Sequence, residues 1–128
     1  ELKKKTLLDI SLKTSEEINL ISLGTEEKVH LLYIMKEAVT NVVKHADADK
    51  VLISLTAKDG SLEMCIEDDG RGIDSLEGKK GAGLSIMNER ARLISGEFIL
   101  KSDPGEGTSI IIILPEKNGR LNHENNDC

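Results

Sequence analysis

The spacing of apolar residues predicts five strands and two helices along the chain. Residues 51–57 and 62–68 alternate between apolar and polar positions on either side of Asp59-Gly60, which predicts a β-hairpin. The run IIIIL near the C-terminus favours a strand covered on both faces. In chain order we expect a strand at 6–13, a helix at 25–46, strands at 51–57 and 62–68, a helix at 84–95, and strands at 97–102 and 108–114.

The first predicted helix carries a polar stripe in an apolar setting. In KEAVTNVVKHA, Glu37, Asn41 and His45 recur every fourth residue and therefore lie on one side, one turn apart. Ile34 and Ala38 share that side. The opposite face is also apolar and consists of Val29, Leu32, Met35, Val39, Val43 and Ala46. We therefore expect a helix buried nearly all round, with the polar stripe lining a partly buried pocket.

Length, charge and composition exclude several classes of protein. The 128 residues suit one domain, and we expect it at residues 1–115, followed by a polar, disordered tail at 116–128. A net charge of -6 argues against a nucleic-acid surface. Tyr33 and Phe98 are the only aromatic residues, too few for a base-stacking platform. No apolar run reaches the ~20 residues of a membrane span, so we expect a cytoplasmic domain without membrane contact.

Two glycine-rich segments carry the candidate chemistry. Asp68 continues the buried face of its strand and is followed by Asp69-Gly70-Arg71-Gly72, where a ligand can approach the backbone closely. The alternative is a tight turn in which Asp68 accepts the amides of its own loop. Gly81-Ala82-Gly83 precedes the second helix at Leu84, whose N-terminal amides favour an anion, although such a link is as often purely structural.

The order of these motifs resembles one superfamily of ATP-binding domains. EAVTNVVKHA, IEDDGRGI, GAGLSIMNERARLISG and GEGTSIIIILP look like the domain shared by sensor histidine kinases, gyrase-type topoisomerases, heat-shock chaperones and mismatch-repair ATPases. The resemblance covers residues 6–115 and is closest to bacterial histidine kinases of the nitrate-sensor and lipid-fluidity-sensor subfamily. It implies an α+β fold: a two-layer sandwich with a mixed sheet of about five strands and helices packed on one face.

The resemblance also implies roles for the polar stripe. Asn41 matches the residue that binds the Mg2+ bridging the ATP phosphates, and Lys44 and His45 match its phosphate-side neighbours. Glu37 occupies the place where the hydrolysing relatives keep a general base. We therefore expect ATP and Mg2+ as cofactors, with Glu37 and Asn41 as the catalytic candidates.

The glycine-rich motifs correspond to the adenine side and the lid. Asp68 resembles the aspartate that accepts a hydrogen bond from the adenine amino group, and Thr108 the threonine that supports this contact. Residues 74–82 correspond to a mobile lid. The side chains of Arg71, Lys79 and Lys80 are expected to be solvated. The remaining nucleotide-binding positions implied by the resemblance are Gly70, Gly72, Ile73, Gly81, Gly83 and Leu84.

The implied activity is transfer of the ATP γ-phosphoryl group to a histidine in a two-component signalling system. In the family the acceptor lies on a separate two-helix dimerisation domain, and the phosphoryl group passes on to a response regulator. None of His30, His45 and His123 looks like that acceptor, so we expect it outside this chain. We expect this part of the protein to be monomeric and the parent protein to be a homodimer.

Two other functions stay open at this point. A degenerate kinase or an anti-sigma-like regulator would bind nucleotide and a partner without transfer, although intact Asn41 and Asp68 argue against degeneration. An ATP-driven clamp like the topoisomerases would need a longer lid and a transducer domain. We rank it last.

Overall fold

The computed structural model describes residues 8–15, 23–58, 60–72 and 83–115. The predicted lid at 74–82, Ile73, Gly81 and the predicted tail at 116–128 lie outside the described residues. The elements are β1 (Asp9–Thr14), α1 (Thr25–Asn41), a π-helical turn (Val42–Ala46), β2 (Lys50–Lys58), β3 (Ser61–Asp68), α2 (Leu84–Leu93), β4 (Glu97–Ser102) and β5 (Thr108–Leu114). In these described parts, neither α-helix has the length and apolar character that crossing a bilayer requires.

The five strands form one mixed sheet in the order β1-β2-β3-β5-β4. β1 runs parallel to β2, and every other neighbouring pair is antiparallel. The register places Ile53, Ile66 and Ile110 side by side, and all three are buried in one core with the apolar residues of α1 and α2. The predicted α+β architecture, with helices on one face of the sheet, is confirmed.

The buried face of α1 is narrower than the sequence pattern predicts. Leu31, Ile34, Ala38 and Val42 are buried against the sheet at helical spacing. Val29, Leu32 and Val43, which we expected to be buried on the opposite face, are 53%, 61% and 67% exposed. The prediction of a helix buried nearly all round is therefore wrong. With helices on one face of the sheet only, α1 has a single covered side.

The same two-layer arrangement changes the environment of β5. Ile110, Ile112 and Leu114 are buried beneath the helices, whereas Ile111 and Ile113 point to the other face and are only partly buried. Of the elements that the structure describes, none packs on that second face. The IIIIL run is thus not a strand covered on both faces, because the side chains of β3 and β4 shield its outer isoleucines only partly.

Two loops at one end of the sheet pack backbone against backbone. A Cβ on Gly72 would collide with the carbonyl of Asp103, and a Cβ on Gly107 would collide with the carbonyl of Asp68. Both glycines have φ angles near +80°, at 78° and 86°, where other residues are strained. The loop after β3 and the turn between β4 and β5 therefore interlock at positions that admit only glycine.

We expect Gly107→Ala to destabilise the fold much more than Gly105→Ala. Gly105 has a similar φ of 79°, but a Cβ there would meet no atom within 4 Å. Alanine at position 105 should thus cost only the left-handed backbone penalty, about 1 to 2 kcal/mol. Alanine at position 107 should cost roughly 2 kcal/mol more, because the backbones must separate. Urea denaturation of both variants measures the difference, and equal free energies of unfolding would contradict the interlock.

Candidate nucleotide-binding site

A cleft opens between α1, the start of α2 and the adjoining ends of β3 and β5. The residues that line it form an apolar surface with a few convergent polar groups. The apolar members are Ala38, Val42, Ile66, Leu84 and Ile110, and the others are Asn41, His45, Asp68, Gly72 and Thr108.

Asp68 stands at the end of β3 with its carboxylate half-buried against the cleft. Its Oδ1 accepts the backbone N–H of Gly70 at 2.7 Å, and the backbone of Thr108 donates a further hydrogen bond. Desolvation raises the pKa of the Asp68 carboxyl, and these two hydrogen bonds offset the rise only in part. Asp68 therefore accepts its own loop's amide and also lines the cleft.

The hydroxyl of Thr108 lies beside that of Ser102 at the sheet end of the cleft. Oγ of Ser102 is 3.2 Å from the carbonyl of Gly107, to which it can donate, and 2.9 Å from Oγ1 of Thr108. Either hydroxyl can be the donor between the two. Oγ1 of Thr108 can accept a hydrogen bond from a ligand in the cleft when it donates its own proton to Ser102.

Asp69, next to Asp68, faces away from the cleft. Its Oδ1 accepts the backbone N–H groups of Asp49 at 2.9 Å and Lys50 at 3.0 Å, at the start of β2. These hydrogen bonds, that of Lys50 first, lower the pKa of the exposed Asp69 carboxyl. The two neighbouring acids therefore have different surroundings. Asp68 borders the cleft, and Asp69 is hydrogen-bonded to the backbone at the start of β2.

The polar stripe of α1 divides at the cleft. Asn41 and His45 line it, whereas Glu37 does not. The carboxylate of Glu37 packs against Gly83 at the start of α2, so closely that a Cβ at Gly83 would lie 2.7 Å from Oε2 of Glu37. Lys44 is exposed, and Gly70 is buried, where its amide serves Asp68.

The structure thus brings together most of the described residues named from the sequence and adds some that were missed. Asn41, His45, Asp68, Gly72, Leu84 and Thr108 meet in the cleft, and Gly83 adjoins Glu37 beside it. The other apolar liners, Ala38, Val42, Ile66 and Ile110, were missed as site residues. Arg71 is exposed, as expected, and it also donates from Nε to the carbonyl of His45 at 3.0 Å.

The described residues could bind a metal ion only if most of its ligands came from a bound nucleotide and from water. They contain no group of three or more His, Cys, Asp or Glu side chains arranged to hold a metal. Magnesium in nucleotide sites takes most of its ligands from phosphates and water, with one or two oxygens from the protein. The amide oxygen of Asn41, in the cleft wall, is compatible with that kind of site.

His30 lies in the contact between α1 and α2. Its side chain is 14% exposed and lies 3.8 Å from the carboxylate of Glu26. Nη1 of Arg90 is 3.4 Å from Nδ1 of His30, and the same guanidinium stacks 3.6 Å from the ring centre of Tyr33. His30 is therefore occupied in helix packing, away from the cleft.

Comparison with protein families gives one matching model. Residues 26–118 match the family described as Histidine kinase-, DNA gyrase B-, and HSP90-like ATPase. Among curated proteins, the chain is 37% identical over 117 residues to the nitrate/nitrite sensor protein NarQ of Escherichia coli. It is 36% identical over 123 residues to the sensor histidine kinase LiaS of Bacillus subtilis. These matches cover 90% and 93% of this chain but only 20% and 33% of the relatives, so the chain spans a fifth to a third of their length.

Solved structures show the same fold. The ATP-binding domain of PrrB from Mycobacterium tuberculosis superposes with a TM-score of 0.64 at 25% identity, covering 87% of this chain and 82% of that one. The histidine kinase domain of a blue-light activated kinase from Erythrobacter litoralis gives 0.67 at 20% identity, covering 87% and 52%. The chain belongs to the Histidine kinase-, DNA gyrase B-, and HSP90-like ATPase family, and within it to the ATP-binding catalytic domains of sensor histidine kinases.

Proposed function

We propose that this chain binds magnesium-ATP and presents the γ-phosphoryl group for transfer to a histidine on a dimerisation domain of the same parent protein. The observation that carries the proposal is the two-ended cleft. Asp68 and Thr108 stand at its sheet end, and Asn41 and His45 stand at its helix end. One end offers hydrogen-bond acceptors to a base, and the other offers polar groups to phosphates.

The adenine end follows from the hydrogen-bonding capacity of its residues. The ionised carboxylate of Asp68 can only accept, and Oγ1 of Thr108 can also accept when it donates its proton to Ser102. Together they complement an exocyclic amino group, which donates two hydrogens. The apolar surface of Ala38, Ile66 and Ile110 suits the faces of a purine ring.

The phosphate end centres on Asn41. Its side-chain oxygen would hold magnesium together with phosphate oxygens and water, and the ion would supply charge neutralisation during transfer. His45 is a hydrogen-bonding neighbour, and the exposed Lys44 is a nearby cation. Glu37 beside Gly83 orders the start of α2, which makes it a positioning residue with access to the cleft's edge.

Transfer requires parts beyond the described residues. The acceptor histidine would lie on the dimerisation domain of a homodimeric, cytoplasm-facing parent, with a response regulator downstream. The described histidines offer no in-line acceptor, because His30 lies between the helices and His45 is part of the cleft wall. The relatives are sensor histidine kinases, so a purely regulatory nucleotide module is not favoured.

We expect ATP to bind in a magnesium-dependent manner and at least about 100-fold more tightly than GTP. When the base presents a carbonyl instead of an amino group, that carbonyl faces the half-buried carboxylate of Asp68 and supplies no donor to it. Isothermal titration with ATP, ADP and GTP, with and without magnesium, measures this preference. Equal affinity for GTP would contradict the role of Asp68.

We expect Asp68→Asn and Asp69→Asn to differ in their effects on ATP binding and on stability. The raised pKa of Asp68 means that its contribution to stability is lost as pH rises through the folded-state pKa, so ionised Asp68 destabilises the fold at neutral pH. Asp68→Asn should keep or raise the melting temperature while weakening ATP about 100-fold or more.

Asp69 has a lowered pKa, so its contribution is present at neutral pH and lost as pH falls through the folded-state pKa. Asp69→Asn should lower the melting temperature modestly and leave ATP affinity within about threefold, since asparagine keeps an acceptor oxygen. Thermal melts and titrations of both variants test this contrast. Parallel losses of ATP affinity would show that the two side chains do not differ as we infer.

We expect this chain not to label itself with γ-labelled ATP but to label the separately supplied dimerisation domain of its parent. Asn41→Ala should reduce that labelling at least about 100-fold, because charge neutralisation at the phosphates is lost. Asn88→Ala, on the exposed side of α2, is the matched control and should label normally. Acid-labile, base-stable label on the isolated chain, or full activity of Asn41→Ala, would contradict the proposal.

A further inference from the structure

Hydrogen bonds connect the segment Asp69-Gly70-Arg71 to the residues that follow α1, although the two regions are distant in sequence. Asp69 receives two backbone N–H groups, from Asp49 and Lys50, at 2.9 and 3.0 Å. Arg71 donates from Nε to the carbonyl of His45 at 3.0 Å. The backbone adds a weaker link from the N–H of Asp69 to the carbonyl of Lys50 at 3.3 Å. Both side chains therefore point to the connection at 45–50.

That connection begins with an unusual piece of helix. After Asn41 the chain continues as a π-helical turn, Val42–Ala46, and Asp47 then leaves it with a φ of 55° and a ψ of 46°. Carbonyls at the end of a helix have no partner within it. Short π-helical segments have poor intrinsic stability and recur at functional sites. The bond from Arg71 satisfies the His45 carbonyl, so the turn is held from outside.

The same segment is also hydrogen-bonded to residues at the adenine end of the cleft. Gly70, between Asp69 and Arg71, donates its N–H to Asp68 at 2.7 Å. The carbonyl of Arg71 accepts the N–H of Gly105 at 2.6 Å, which fixes the segment to the turn between β4 and β5. One short segment is thus attached both to Asp68 and to the turn that carries His45.

We propose that Asp69 and Arg71 are positioning residues that fix the phosphate end of the cleft relative to its adenine end. Without them, the π-helical turn and the Asn41 side chain at its start would no longer be held at one distance from Asp68. A ligand that spans both ends needs that distance, whereas a ligand confined to the adenine end does not. The inference rests on the proposed binding of ATP along the cleft.

Two substitutions at Arg71 separate this role from a direct charge contact with phosphate. Glutamine has its side-chain nitrogen bonded to Cδ, as Nε of arginine is, and it therefore keeps an N–H donor there without charge. Lysine keeps the charge but has a carbon at that position. Positioning through Nε predicts that glutamine replaces arginine better than lysine does, whereas a charge contact predicts the reverse.

The experiment measures ATP and adenosine affinities of this chain by calorimetry and by NMR titration, in magnesium. For Arg71→Gln we expect ATP affinity within about twofold of wild type, and for Arg71→Lys a loss of about three- to tenfold, typical of one hydrogen bond. Adenosine affinity should stay within about twofold in both. Arg92→Gln, on the exposed side of α2, controls for the removed charge. Asp69→Ala should show the same ATP-selective loss, and Asp69→Asn should not.

Three results would overturn the inference. ATP affinity that is retained by Arg71→Lys but lost by Arg71→Gln would indicate a direct charge contact. If Arg71→Gln loses as much ATP affinity as Arg71→Lys, or if neither variant loses any, the Nε hydrogen bond does not position the site. Equal losses for adenosine and ATP with a lower melting temperature would indicate general destabilisation. Absence of ATP binding by the wild-type chain in the same titrations would instead refute the proposed function.

Discussion

The close approach of two backbones at Gly72 and Gly107 is the constraint on which the site depends. The carbonyls of Asp103 and Asp68 occupy the space that a side chain at these positions would need. This contact places the end of β3 against the start of β5, where Thr108 can donate its amide to Asp68. The carboxylate of Asp68 keeps these hydrogen bonds while only part of its surface is open to solvent. The glycines therefore shape the cleft indirectly, by setting how near the two strands' ends can come.

The helix side of the cleft is held less by packing than by hydrogen bonds from a distant loop. Ala38 and Val42 are buried in the core, but Val43, Lys44 and His45, in the π-helical turn, are exposed. Its geometry is set where Arg71 and Asp69 meet the connection at 45–50. Asn41 and His45 face the cleft together, while Glu37, one α-helical turn earlier, faces Gly83.

Much of the fold and part of the site could be predicted from local patterns. Alternation identified Leu62, Met64, Ile66 and Asp68 as one face of β3, and the structure buries the first three and places the fourth at the cleft. The predicted burial was wrong for α1, where two faces are about equally apolar. The spacing of apolar residues does not indicate which of the two faces packs on the sheet. Val29 and Leu32 are exposed for that reason. The partners of Arg71 could not be predicted, since they are backbone atoms 26 residues away.

The neighbouring acids Asp68 and Asp69, at the end of β3, differ in their surroundings. Asp68 is half-buried, and desolvation raises the pKa of its carboxyl, so the ionised form is disfavoured in the ligand-free fold. Asp69 is exposed and has a lowered pKa, so its hydrogen bonds stabilise the ligand-free fold. The two carboxyls have different partners, since Asp68 accepts the N–H of Gly70 whereas Asp69 accepts those of Asp49 and Lys50. In the proposed ATP site, Asp69 thus helps to fix the backbone that carries Asp68, while Asp68 itself borders the cleft.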